Sequence, residues 1–231
     1  MKNDLTGIIC AMSLEMEGLR ERMTDMTSET VSGIEFVRGR IGGAAVVTAV
    51  CGVGKVFAAL CAQTMILRYA PARLINTGVA GSFSPDLTIG QIAIARDVVQ
   101  HDMDTSPIGD PVGLLSGINI VHIPADPTLC EALAEAASSC GMKVQSGTVA
   151  TGDQFISTTE QKMRIRDTFG AIACEMEGGA VGHVCYVNHV PFAVLRAISD
   201  GGDEAAQMDY PTFARMAAAN SVRVLVTYLT R

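Results

Sequence analysis

The sequence predicts a single α/β domain over residues 1–231, and two observations carry that prediction. Apolar runs of strand length alternate with longer segments of helical period. Composition agrees: 48% hydrophobic residues with 5% aromatic, no Trp and 23 Gly suit strands rich in Val, Ile and Ala packed on small-residue helices. A chain of 231 residues can bury one sizeable core without dividing.

In chain order, the strand GIICAM precedes the helical segment SLEMEGLRERM, and GAAVVTAV precedes GKVFAALCAQTMILRYA. Further strands are expected at ARLINTG, QIAIARDVV, INIVHI, VQSGTVATG, AIACEM and PFAVLRAIS. Helices are expected over 127–140, 160–169, 179–188 and 210–229. The stretch 103–117, rich in Pro, Gly and Asp, reads as a surface loop of functional length.

Bulk chemistry narrows the function. A formal charge of -7 without any Lys/Arg cluster argues against nucleic acid as a partner. Seven cysteines, odd in number, lack a C-x-x-C pair and sit mostly in apolar runs, as expected of reduced core residues in a cytoplasmic protein. The N-terminal MKNDLTGIICAM is too short an apolar stretch, and too closely followed by Glu15, Glu17 and Arg20, for a signal peptide or a membrane span.

Ligands of open α/β sheets bind beyond the carboxyl ends of strands. The polar residues standing there are Ser13 and Glu15, the turn 52–55, the segment 77–82, Asp153, Glu175 and Glu177, and Ser199 and Asp200. Each has a plain structural reading. Glu15 falls in the first turn of a helix that Ser13 could cap, where acids are favoured by the macrodipole, and Asp200 before two glycines suits a turn. Against this, carboxylates recur at strand ends from distant parts of the chain, as one convergent site requires. Glu175 and Glu177, flanking Met176, diverge if the segment is helical and are not expected to share one job.

Other motifs fail on spacing. GVGK would need Gly at position 49 and Ser or Thr at position 56 to form a phosphate loop, but Ala49 and Val56 stand there; its glycines are expected to make a tight strand-to-helix turn. A dinucleotide pattern would need glycine where Phe57 stands. The histidines at 101, 122, 183 and 189 have no ligand spacing, so no metal is expected, and no G-x-S-x-G elbow occurs.

Taken together, GIICAMSLEMEGL, CGVGKVFAA, INTGVAGSF, ATGDQFI, CEMEGGAVGHVC and FAVLRAISDGGDE resemble, in order and spacing, the 5'-methylthioadenosine/S-adenosylhomocysteine nucleosidases of the nucleoside phosphorylase superfamily. The resemblance covers essentially the whole chain. It implies a three-layer α/β/α fold around a central mixed, barrel-like sheet, a homodimer, and cofactor-free, metal-free hydrolysis of the N-ribosidic bond to adenine. It also implies roles: Glu15 activates the attacking water, Glu177 binds a ribose hydroxyl, and Asp200 is the acid at adenine. Met176 would pack under the ribose, Phe155 would stack on the base, and the Ile156 backbone would hydrogen-bond it. Arg196 and Ser199 would stand behind these groups, with Ser199 orienting Asp200. Glu175 is left structural, with Glu175→Gln expected to cost little.

Where many family members read NTGSAGG, this chain reads NTGVAGS, so Val79 replaces a hydroxyl and Ser82 a glycine. The segment 101–108 matches the region that crosses the dimer, too divergently to transfer residue by residue. Met12 with Tyr210 or Phe213 is expected to form an apolar patch for the 5' end of a small nucleoside: methylthioadenosine, S-adenosylhomocysteine or 5'-deoxyadenosine. The rival readings are a phosphorylase, which needs cationic phosphate ligands, and a non-catalytic nucleoside-binding domain.

Overall fold

One sheet of ten strands closes on itself over half its width and continues as an open wing over the other half. The computed structural model describes residues 4–231. The reading of the N-terminus as neither signal nor span therefore begins at residues that lie outside the described ones. The strands are β1 (Thr6–Cys10), β2 (Thr24–Val31), β3 (Ile34–Ile41), β4 (Ala44–Val50), β5 (Arg73–Ser82), β6 (Ile92–Gln100), β7 (Ile123–Pro124), β8 (Val144–Thr151), β9 (Ala171–Glu175) and β10 (Phe192–Asp200). The helices are α1 (Ser13–Arg20), α2 (Lys55–Tyr69), α3 (Pro127–Ser139), α4 (Thr159–Phe169), α5 (Gly178–Val187) and α6 (Ala206–Leu229).

Closure runs β5–β10–β6–β8–β9 and back to β5, with parallel and antiparallel pairs mixed. From β5 the wing continues through β1, β4, β3 and β2. Strand β5 belongs to both halves, and its end makes the fold's decisive junction: Gly81 pairs with Asp200 of β10 on one side and Cys174 of β9 on the other. Because β9 meets β5 antiparallel only at these last residues, the carboxyl ends of β5, β9 and β10 converge on one point.

Two faces of the sheet are covered. Ala58, Cys61 and Met65 of α2 pack with Val181 and Cys185 of α5 on one face. On the other, Met16 and Leu19 of α1, Leu133 of α3 and Leu225 of α6 form the core. Each of the Met, Leu and Val side chains among them, fully buried, contributes roughly 1.5–3 kcal/mol. The expected three-layer arrangement around a mixed, barrel-like sheet is what the structure has.

Some elements differ from the sequence reading. The hairpin β2–β3 is additional to the sequence reading: TDMTSETV is polar and nearly all exposed and lacks the buried face that produces an apolar alternation, while β3 buries Ile34, Phe36, Val37 and Ile41. Its turn, Ser32 and Gly33, has positive φ at both residues (52° and 76°), as two-residue hairpin loops require. INIVHI is not a strand: only Ile123 and Pro124 pair with β6, and Leu115 bridges Ile120 across a turn in which Asn119 has φ 55°. Its isoleucines still pack on the core from a loop. Ser13 is the first helical residue and not the cap; Met12 holds that position. Helix α6 begins one turn earlier than expected and carries Pro211 inside it. Among the described residues, no helix is long and apolar enough to cross a membrane.

Candidate active site

Glu15 sits at the start of α1, yet its carboxylate turns back over the strand it follows. Oε2 accepts the backbone N–H groups of Ala11 (3.0 Å) and Met12 (2.9 Å), and Oε1 accepts that of Val79 (3.0 Å). The loop after β1 is thus tied to β5 through one side chain. Gly78 makes the approach possible, since a Cβ there would lie 2.5 Å from Glu15 Oε1. Burial raises the pKa of Glu15, while Arg196 and the three amides oppose the rise.

The EME segment ends β9 and opens α5, and its two carboxylates have different surroundings. Glu175 Oε2 accepts the N–H groups of Glu177 (3.0 Å) and Gly178 (2.7 Å) at the helix start, together with Nε of Arg196 (3.1 Å) and its Nη2. Its other oxygen accepts the hydroxyl of Thr151. Arg196 is 1% exposed and also donates to Asn76 Oδ1, whose amide donates to Ile9 O at 3.1 Å. Glu177 has fewer partners: Gly54 N–H donates to Oε1 at 2.8 Å, and Arg196 Nη2 lies 3.8 Å from Oε2. Burial and then the charge of Glu175 push its pKa up to about 7.

Asp200 closes β10. Ser199 Oγ donates to Oδ2 at 2.8 Å, and Gly202 N–H donates to Oδ1 at 2.9 Å. Burial raises its pKa against these two bonds, and Asp209 and Asp203 add to the rise. The turn-forming role and the cavity-facing position coexist in this residue.

These groups border one cavity of about 620 Å³, its open mouth included. Met12, Glu15, Val79, Phe155, Ile156, Met176, Glu177, Ser199, Asp200 and Tyr210, all singled out from sequence, line it. Tyr210 hydroxyl points at Met12 Sδ (3.2 Å), and its ring meets Phe155 edge-on with centroids 5.6 Å apart. Two expectations become specific. Arg196 does not reach the cavity, because Glu175 and Asn76 hold its guanidinium behind the wall. Phe213 is not at the wall either; only Tyr210, nearer the start of α6, faces inward. Sequence reasoning missed Phe83, Cys174 and Gln154. Each lies inside a quoted motif, but none carries a charge that draws attention to it.

Apart from the three cavity carboxylates and Glu175, the lining is neutral: among the described residues no Lys, Arg or His borders it. Nor do His, Cys, Asp and Glu gather anywhere among them into a group able to hold a metal. Such a site can exchange protons and stabilise a developing positive charge, and it offers nothing to bind an anion.

Comparison with known proteins agrees with this geometry. The sequence pattern of the phosphorylase superfamily matches residues 6–230. The 5'-methylthioadenosine/S-adenosylhomocysteine nucleosidase of Shewanella loihica is 37% identical over 96% of this chain and 97% of its own. Among solved structures, the nucleosidase of that name from Neisseria meningitidis, in complex with methylthio-immucillin-A, superposes with a TM-score of 0.95 at 31% identity, covering 98% of this chain and 99% of its own. Futalosine hydrolase of Helicobacter pylori is similar too, with a TM-score of 0.93 at 32% identity over 97% of each chain. With its whole length matched and its three carboxylates gathered at the convergent strand ends, the chain belongs to the phosphorylase superfamily and, within it, to the 5'-methylthioadenosine/S-adenosylhomocysteine nucleosidases.

Proposed function

We propose that this chain hydrolyses the N-ribosidic bond of 5'-methylthioadenosine and S-adenosylhomocysteine, and of 5'-deoxyadenosine, releasing adenine. The observation that supports it most is the cavity shared by Glu15, Glu177 and Asp200, bordered by no cation. Adenine leaves poorly as an anion, so Asp200, whose pKa burial raises, delivers a proton to N7 as the C1'–N9 bond breaks. A general acid of this kind contributes ~10² to 10⁴ in rate. The ribose gains oxocarbenium character, and Glu177 accepts from a ribose hydroxyl, an interaction that strengthens as positive charge develops. Glu15 takes a proton from the water that adds to C1'.

The other lining residues take the roles that the family resemblance suggests. Phe155 and the Ile156 backbone take the base, Met176 packs under the ribose, and Met12, Val79 and Tyr210 receive the 5' substituent. Ser199 orients Asp200 through the 2.8 Å bond, and Arg196 acts from behind the wall through Glu175. Val56 (78% exposed), Phe57 (52%) and Val187 (54%) leave an apolar face on α2 and α5, which supports a homodimer through that face. Seven unpaired cysteines support a cytoplasmic setting.

The test is adenine release from methylthioadenosine in phosphate-free buffer. Turnover there supports hydrolysis. A strict requirement for phosphate would make the enzyme a phosphorylase, and tight binding without adenine release would make it a binding domain.

A further inference from the structure

The turn between β4 and α2 is gripped from outside the cavity by charges that the proposed chemistry does not use. Gly54 precedes the first residue of α2 with φ 101°, and its N–H is the one that reaches Glu177. The next amide, Lys55 N–H, donates outward to Asp153 Oδ1 at 2.8 Å. Asp153 is in turn anchored: its own N–H donates to Asp102 Oδ2 at 2.9 Å, and Asp102 Oδ1 accepts Lys55 Nζ at 2.6 Å. Asp102, Asp153 and Lys55 therefore close a ring of contacts around one peptide. Gly54 lets the ring draw close, since a Cβ there would stand 3.0 Å from Asp153 Oδ1.

Consecutive amides are joined by a planar peptide and two dihedrals, so fixing Lys55 N–H restricts where Gly54 N–H can aim. We propose that Asp153, anchored by Asp102 and Lys55, is a positioning residue that aims the Gly54 N–H at the Glu177 carboxylate. The proposal rests on the reading of Glu177 as the ribose ligand.

Its signature is electrostatic. Glu177 is faced by Glu175 and Glu15, which raise its pKa, and by Arg196 and the Gly54 N–H, which lower it; Cys51 and Tyr210 stand within electrostatic reach and are themselves pushed upward by Glu177. Loosening the Gly54 bond removes a lowering influence, so the Glu177 pKa rises above about 7. Loss of the Asp153 charge, acting alone through space, would move it down. The two causes have opposite signs.

The experiment is the pH profile of kcat/KM for methylthioadenosine, measured on full-length wild type, Asp153→Ala, Asp153→Asn, Asp102→Ala and Glu177→Gln, with thermal denaturation of each. Asp153→Ala should move the acid limb upward, on the order of one pH unit, which is about tenfold in rate below the limb. Asp153→Asn keeps an acceptor oxygen and should return the limb toward wild type. Asp102→Ala, which removes the anchor, should move it as Asp153→Ala does. An acid limb that stays in place or moves down in Asp153→Ala overturns the positioning role, whatever happens to the melting temperature. Because Glu15 has an acid limb of its own, Glu177→Gln is read on the plateau: wild-type kcat/KM there overturns the reading of Glu177 itself, and the positioning role with it.

Discussion

Glu175 and Arg196 form a buried ion pair in which a single carboxylate oxygen receives both Nε and Nη2 of the guanidinium. The same oxygen accepts the first amides of α5, so the pair joins β9, α5 and β10 behind the cavity. Glu175→Gln would leave Arg196, 1% exposed, with Glu177 at 3.8 Å as its nearest remaining counter-charge. Breaking such a pair from one side costs about 3–5 kcal/mol. Chemical denaturation of Glu175→Gln should show a loss of that order, alongside the small loss of turnover expected from sequence; a midpoint equal to wild type would contradict the assignment.

Asp200→Asn and Glu15→Gln should each lower kcat by ~10² to 10⁴ with the fold retained, since both replacements preserve shape. Single-turnover adenine release, with circular dichroism as a control, measures this. A variant keeping a tenth or more of wild-type kcat would remove that residue from the acid–base pair.

Glu177 makes a prediction about stability. Its folded pKa, about 7, lies above the ordinary value of 4.5. The folded state therefore holds the proton longer than the unfolded chain. Stability from this group is complete below pH 4.5 and is lost as pH rises through 7. Glu177→Gln removes the charge, so its melting temperature should exceed wild type at pH 8.5 and approach it at pH 5. The gain at high pH is on the order of 3 kcal/mol, and a constant difference across this range would refute the cause given. Activity should fall in the same variant, because a neutral amide stabilises the developing cation poorly.

Gly78→Ala would place a Cβ 2.5 Å from Glu15 Oε1. The carboxylate must retreat, and displacement of a reacting group by about 1 Å can cost 10²-fold. The expected result is a loss of kcat of that size with a smaller relative change in KM. Unchanged kinetics would show that Glu15 can move without consequence.

Substrate range follows from the apolar wall of Met12, Val79 and Tyr210. Apolar contacts discriminate weakly, by roughly 1–3 kcal/mol per methylene. Methylthioadenosine, S-adenosylhomocysteine and 5'-deoxyadenosine should all be cleaved, and adenosine less well because its 5'-hydroxyl is desolvated there without a partner. Comparison of kcat/KM across these nucleosides and aminodeoxyfutalosine checks it. If adenosine proved the best substrate, the 5' pocket would have to lie elsewhere.

What the sequence determined by itself was local and chemical. Alternating apolar runs predicted α/β architecture, and carboxylates following those runs marked Glu15, Asp153, Glu175, Glu177 and Asp200, because strand ends and first helical turns are recognisable from a few neighbouring residues; the family resemblance singled out Glu15, Glu177 and Asp200 among them. Motif order predicted the family. What the tertiary structure decided was which distant groups face each other. Nothing local tells that Gly81 pairs with both Asp200 and Cys174, closing the barrel and bringing three strand ends together. Strand β2 is not legible because it is exposed and has no apolar face to read, whereas β3 does have one and only its pairing waited on the fold. The resemblance put Arg196 behind the substrate-binding groups, but only the fold shows what holds it there: Glu175, 21 positions away. Desolvation and the pKa values it shifts depend on neighbours brought in from other strands, so the chemical character of each carboxylate emerged only with the fold.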